Sequence, residues 1–277
     1  MKVFITGAGG YIGRHVVAEC LNRGHDVFVS DLSYKGIDDR ATRVDATIFS
    51  GDKDIYNQVH EPDVLIHLAW RDGFIHNSNA HMIDLSKHVL FLNHMIDGGL
   101  KYLTVMGSMH EVGYWEGEIT SDTPCNPMSM YGVAKNALRQ ELMLYTQDKD
   151  VSFHWLRGFY IYGDDARGSS IFAKLYQAWE GGKKVFPFTQ GKNLYDFISV
   201  YELAKMIVAA STQNEYDGII NVCSGTPQSL AEMVENYIKE KKMDISLQYG
   251  AYPDRPYDSP GVWGDATIIQ QILSKSN

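Results

Sequence analysis

Lys2-Val3-Phe4-Ile5-Thr6-Gly7-Ala8-Gly9-Gly10-Tyr11-Ile12-Gly13 begins as a short apolar run and ends in glycines at positions 7, 10 and 13. The apolar run reads as a buried strand, and residues 12–23 as the helix that follows. Glycines spaced in this way between a strand and a helix let the backbone approach a pyrophosphate, whose charge then lies at the helix N-terminus. A tight turn with no ligand would use the same glycines. The strand–loop–helix context favours a dinucleotide, held by Gly7, Gly10, Tyr11, Ile12 and Gly13. Asp31 follows the second strand, 24 positions after Gly7. A carboxylate there either caps a turn or accepts hydrogen bonds from the adenosine ribose and repels a 2′-phosphate, which favours NAD over NADP. Asp52 follows a third apolar stretch, where it either meets the adenine or caps a helix.

Working outward, short apolar runs alternate with helical patterns. Strands are predicted at 27–30, 47–50, 64–69, 102–106 and 153–157, and helices at 79–96 and 132–146. This alternation predicts an α/β fold, a doubly wound parallel sheet covered on both faces. Ligands of such sheets bind beyond the carboxyl ends of the strands, where the glycine loop and residues 106–111 would both lie. After residue 157 the pattern loosens. Residues 197–200, 201–211 and 219–222 read as a return to the sheet, and the rest as a small lobe covering a substrate. The expected division is 1–157 plus about 196–223, against about 158–195 plus 224–277.

Met130-Tyr131-Gly132-Val133-Ala134-Lys135 carries the chemistry. Four positions apart on a helix, the phenol and the ammonium share one face. A nearby cation lowers a phenol's pKa, so Tyr131 is expected to exchange a proton with a carbonyl or carbinol near neutral pH.

Bulk properties narrow the field. The 277 residues are 44% hydrophobic and 21% charged, as in an ordinary globular enzyme, and carry a formal net charge of -9. There is no Lys/Arg run, which argues against nucleic acid. No stretch approaches the length of a membrane helix, and the start runs directly into a strand, with no room for a signal peptide. Cys20, Cys125 and Cys223 are far apart, which fits a reducing cytoplasm and no disulfide. The ten histidines show no ligand spacing, so no metal is expected; His81, His88 and His94 lie seven and six positions apart and do not gather at one point.

Taken together, these residues resemble the extended short-chain dehydrogenase/reductase family of nucleotide-sugar epimerases, dehydratases and ketoreductases. The likeness covers nearly the whole chain. Beyond the glycine loop and Tyr131-Lys135 it includes His67-Leu68-Ala69, Leu156-Arg157-Gly158-Phe159-Tyr160-Ile161-Tyr162-Gly163, Tyr195-Asp196-Phe197-Ile198-Ser199-Val200, Asn221-Val222-Cys223-Ser224-Gly225 and Arg255-Pro256. The resemblance implies a Rossmann domain with a small C-terminal lobe and a homodimer formed through two helices. It implies Tyr131 as acid/base, Lys135 on the nicotinamide ribose, and Leu68 and Ala69 beside the cofactor.

The departures bear on function. The family's hydroxyl after the fifth strand falls on Met109, leaving Ser108 or His110 to polarise the substrate oxygen. The alternative for Ser108 is a hydroxyl bonded to its own turn backbone. Glu111 matches the dehydratases' proton-abstracting carboxylate, or makes a structural hydrogen bond beneath the loop. Tyr160 and Tyr195 stand where relatives often keep Asn and Arg against substrate phosphates, so Arg255 is the remaining phosphate ligand. Trp70 borders nicotinamide and sugar, or lies in a surface loop. The expectation is an NAD-dependent nucleotide-sugar epimerase working through a transient keto-sugar at C4. Ketoreductase and 4,6-dehydratase are the alternatives, and a non-catalytic NAD-binding sensor or scaffold is the rival of another class.

Overall fold

The computed structural model describes residues 1–163, 170–253 and 258–276. Arg255 lies outside the described residues. The main sheet holds β1 (Lys2–Thr6), β2 (Asp26–Ser30), β3 (Thr42–Arg43), β4 (Val64–His67), β5 (Tyr102–Ser108), β7 (Ser152–Gly158) and β11 (Gly218–Val222). Between β5 and β7 the chain makes β6 (Gly117–Ile119), which belongs to a second sheet with β8 (Tyr160–Tyr162), β10 (Leu194–Ser199), β12 (Pro227–Ser229) and β14 (Gly261–Gly264). A third pair joins β9 (Val185–Pro187) to β13 (Ser246–Gln248). The main sheet runs β11-β7-β5-β4-β1-β2-β3, with every pairing parallel.

Both faces of this sheet are apolar because successive side chains of each strand serve opposite cores. Val3, Ile5, Val64 and Ile66 pack on one side with residues of α1 (Gly13–Asn22), α6 (Val200–Ser211) and α8 (Thr267–Lys275). Phe4 and Leu65 pack on the other, with residues of α2 (Ile55–Gln58), α3 (Ala80–Gly98) and α4 (Met130–Tyr145). The second sheet and its helices α5 (Ile171–Glu180) and α7 (Leu230–Glu240) extend the first core through Phe172, Tyr195, Phe197 and Tyr237.

Two strand expectations are corrected. The third strand is Thr42–Arg43, paired with Phe28 and Val29, whereas 47–50 forms a turn closed by the Ser50 N–H on the Thr47 carbonyl at 2.9 Å. Ile48 and Phe49 are apolar because they pack beside α3, not because they pair. Residues 197–200 do not rejoin the main sheet either. They finish β10, at the centre of the second sheet, and start α6.

The position of β10 follows from Asp196, which has no exposed surface. Its carboxylate accepts the Ser224 N–H (2.8 Å), the Ser224 hydroxyl (2.6 Å), the Gly225 N–H (2.9 Å) and the Gly264 N–H (3.2 Å). One buried anion therefore ties β10 to the end of β11 and to β14, joining the two sheets. Asp196→Asn turns an NH2 toward N–H donors and leaves some of them unpaired. It should cost about 3 kcal/mol of stability in urea unfolding monitored by circular dichroism; a change below about 0.5 kcal/mol would refute this role.

Candidate active site

The carboxyl ends of β1, β4 and β5 open onto one cavity of about 390 Å³. Its wall includes Gly7, Gly10, Tyr11, Ile12 and Gly13 from the first loop, Leu68, Trp70 and Phe74 after β4, Ser108, Met109 and His110 after β5, Tyr131 and Lys135 from α4, and Tyr160 from β8. Most residues predicted to act together are thus brought together.

The glycine loop is built for close approach. Gly7 has φ +70°, and a Cβ on it would stand 2.6 Å from the Ala69 nitrogen. A Cβ on Gly13 would stand 2.1 Å from the Gly7 carbonyl oxygen. Ala69 packs under the loop by its backbone, and Leu68 faces the cavity. The first turn of α1 receives no side-chain cap from Ile12, so that helix end suits an anion. Asp31 is half-buried and accepts the Gly9 N–H and the Ser33 N–H, each at 3.0 Å. These bonds aim its carboxylate and leave lone pairs for hydroxyl donors. Asp52 is exposed outside the cavity wall, in the turn before α2, where it accepts the Asp54 N–H at 2.9 Å and the Gln58 amide N–H at 2.8 Å.

Helix α4 starts where Ser129 accepts the Gly132 N–H at 3.1 Å, and the Tyr131 N–H donates to the His76 carbonyl at 2.9 Å. That entry aims Tyr131 and Lys135 inward. The phenol and the Ser108 side chain both line the cavity. The ammonium donates to the Met106 carbonyl at 2.7 Å, one strand-end away. The expected lowering of the phenol pKa is not what dominates here. Burial pushes Tyr131 up to about 12, the nearby Ser108 side chain opposes this, and the Glu111 charge adds to it. At neutral pH the phenol holds its proton, ready to be given to an oxygen beside it. Burial also pushes Lys135 down to about 7, against the favourable charge of Glu111.

After β5 the cavity wall carries Ser108 and, at the next position, the apolar Met109. Ser108 begins a 3₁₀ turn, Met109–Glu111, and its side-chain oxygen accepts the His110 N–H at 3.3 Å. Met109 adds an apolar patch to the wall. His110 is half-buried against His76, ring centroids 4.4 Å apart, and burial pushes it down to about 4, so it is a neutral imidazole. Glu111 has no exposed surface and does not line the cavity. One of its oxygens accepts the Ser108 N–H at 2.6 Å, and the Trp155 indole donates to both at 3.0 and 2.9 Å. Arg139 and Arg157 guanidinium nitrogens lie 3.7 and 3.8 Å away. The carboxylate therefore holds the loop from beneath, the structural alternative read from the sequence.

Tyr160 lines the cavity, stacked on Tyr195 at 4.2 Å, so an aromatic pair stands at the two positions where Asn and Arg were looked for. Phe74 and His76 were not foreseen. Their loop, closed by Ser78 donating to Asp72 at 2.7 Å, has no periodicity to announce it. Among the described residues no group of three or more His, Cys, Asp or Glu is placed to hold a metal ion, and no helix is long and apolar enough to cross a membrane.

Residues 3–223 match the family model described as the NAD dependent epimerase/dehydratase family. The chain belongs to that family. Among curated relatives it is 41% identical, over 95% of its length and 99% of theirs, to the dTDP-6-deoxy-L-talose 4-dehydrogenase (NAD(+)) of Aggregatibacter actinomycetemcomitans. It is 26% identical to the UDP-glucose 4-epimerase of Lactobacillus helveticus, over 99% and 91% of the two chains. In fold it matches a UDP-glucose 4-epimerase structure from Stenotrophomonas maltophila, with bound NAD and formylated UDP-arabinopyranose, at a TM-score of 0.85 and 20% identity over 99% and 92% of the chains. The family's Rossmann architecture is the seven-stranded parallel sheet described above.

Burying the Lys135 ammonium has a stability consequence with a definite sign. Its folded pKa lies near 7, against 10.5 for an unburied lysine, so between these values the unfolded chain holds the extra proton. Stability of the cofactor-free protein then rises with pH across that window. Lys135→Met should raise the thermal midpoint near pH 6, with a gain that shrinks toward about pH 10 in calorimetry. A gain independent of pH would contradict the assignment.

Proposed function

We propose that the protein is an NAD-dependent oxidoreductase that interconverts a hydroxyl and a ketone at C4 of a nucleotide-linked hexose, with a dTDP-linked 6-deoxyhexose as the substrate class. The observation that carries this reading is the Tyr131–Ser108 pair sharing one cavity with the glycine loop. The near-full-length relative named as a dTDP-6-deoxy-L-talose 4-dehydrogenase supports the substrate class.

The residues fit a dinucleotide. The glycine loop and the uncapped start of α1 suit its diphosphate, and Asp31 suits an unphosphorylated adenosine ribose, favouring NAD over NADP. Lys135 holds the nicotinamide ribose. Bound NAD supplies the hydride acceptor, and its reduced form the donor. The chain's own residues manage the oxygen. Ser108 donates a hydrogen bond to the C4 oxygen, and Tyr131 gives its proton as a ketone is reduced and takes one as a carbinol is oxidised. His110, as a neutral imidazole, contacts a sugar hydroxyl. Trp70, Met109 and Tyr160 form the apolar wall for the ring, and Arg255 serves the substrate diphosphate.

A 4-epimerase is the second reading, favoured by the epimerase relative; there the keto-sugar stays bound and is reduced on its opposite face. The 4,6-dehydratase alternative needs Glu111 at the sugar, and the engagement of both its oxygens elsewhere argues against it. A homodimer through α3 and α4 is supported by exposed Met82, Ile83 and Leu90 on one helix and Val133, Met143 and Leu144 on the other. Three free thiols suit a cytoplasmic setting.

Incubating the protein and NAD with UDP-, GDP-, CDP- and dTDP-sugars, and following reduced-nicotinamide absorbance together with product mass, tests this reading. One dTDP-6-deoxyhexose should yield a ketone and reduced cofactor in equal amounts. An epimerase would return the cofactor oxidised, with an isomer of unchanged mass. Tyr131→Phe should lower turnover by about 10²- to 10⁴-fold, and Ser108→Ala by about 10²-fold, with NAD binding retained. No turnover on any sugar, with equal NAD binding by all three proteins, would favour a non-catalytic sensor.

A further inference from the structure

We infer that Trp70 is the positioning residue for the Lys135 ammonium: its indole face forms the seat that keeps the cation charged at the cofactor end of the cavity. The Lys135 Nζ lies 3.8 Å from the centroid of the Trp70 ring, against 5.9 Å from that of Tyr131. A desolvated ammonium over an indole face is the strongest of the aromatic–cation contacts available to side chains. The ammonium's other contact, the Met106 carbonyl at 2.7 Å, is neutral as well.

The seat is built, not incidental. The indole N–H donates to His81 Nδ1 at 3.0 Å, which fixes the His81 proton on Nε2, where it meets the Ile75 carbonyl at 3.0 Å. The His88 ring stacks on the indole, centroids 4.5 Å apart and planes 21° from parallel. His88 Nδ1 lies 2.8 Å from His67 Nε2, and His67 Nδ1 lies 2.7 Å from the Thr6 hydroxyl. The frame behind the indole thus runs to the ends of β1 and β4. The titratable groups around the ammonium are Tyr131 on its own helix, Glu111 on the 3₁₀ turn, His67 on β4 and His88 on α3. Glu111 favours the charge. Burial keeps both imidazoles neutral, so no second cation competes for the indole.

The consequence for cofactor binding rests on the reading that Lys135 holds the nicotinamide ribose; the seat itself does not. The two come apart in one experiment. In cofactor-free protein labelled with 13C at the lysine ε-carbon, the Lys135 signal, assigned by its loss in Lys135→Met, is titrated by NMR in wild type, Trp70→Phe and Trp70→Leu. Removing the aromatic face should lower the titration midpoint by about one pH unit in the Leu variant and by less in the Phe variant, which keeps a smaller face. A merely structural role predicts the opposite sign, because water entering a loosened pocket returns a lysine toward its free value. An unchanged or raised midpoint overturns the proposal. If the Leu variant does not fold, the Phe variant decides by the same sign. NAD binding measured in parallel should weaken about tenfold in Trp70→Leu at about pH 8 and less at about pH 6. Failure of the sugar-nucleotide reading would leave the lysine titration unaffected.

Discussion

A lysine ammonium with 4% of its surface exposed must be held in place where the parallel strands end. The Met106 carbonyl, the Trp70 face and the Glu111 field together meet that demand. Each comes from a different segment, so the position of one cation constrains the end of β5, the loop after β4 and the entry to α4 at once. The cost is a lysine held near neutrality, which is also what makes it responsive to an anionic ligand brought in by the glycine loop.

Beneath this group the Glu111 carboxylate acts as a keystone for the turn after β5. Its bonds to the Ser108 N–H and the Trp155 indole bring three segments so close that a Cβ at Gly107 would stand 2.2 Å from the Trp155 nitrogen and 2.7 Å from a Glu111 oxygen. Only glycine fits there. With the backbone pinned in this way, Ser108 and Met109 both reach the cavity wall.

The parallel sheet, the glycine loop and the Tyr131–Lys135 pair were legible in the sequence because each rests on local spacing: apolar runs of strand length, a three-residue glycine repeat, an i, i+4 helix pair. What was not legible depends on partners distant in the chain. The phenol's raised pKa comes from burial, which no spacing reports, and reverses the direction expected from the neighbouring lysine. The assignment of 197–200 to the second sheet depends on Asp196 meeting 224, 225 and 264. Glu111 reads as a catalytic carboxylate until Trp155, 44 positions away, is seen to occupy it. His81 and His88 flank Trp70, a role that spacing on α3 alone does not reveal.

The reading proposed above places hydride transfer at a sugar carbon under the control of Tyr131 and Ser108. The most direct test uses a dTDP-6-deoxyhexose carrying deuterium at C4 and follows the label by mass spectrometry through a single turnover with NAD. The deuterium should appear in the reduced nicotinamide, and Tyr131→Phe should suppress this transfer. Deuterium released to solvent while product forms would contradict that reading; deuterium retained at C4 of an inverted sugar would mark the epimerase reading instead.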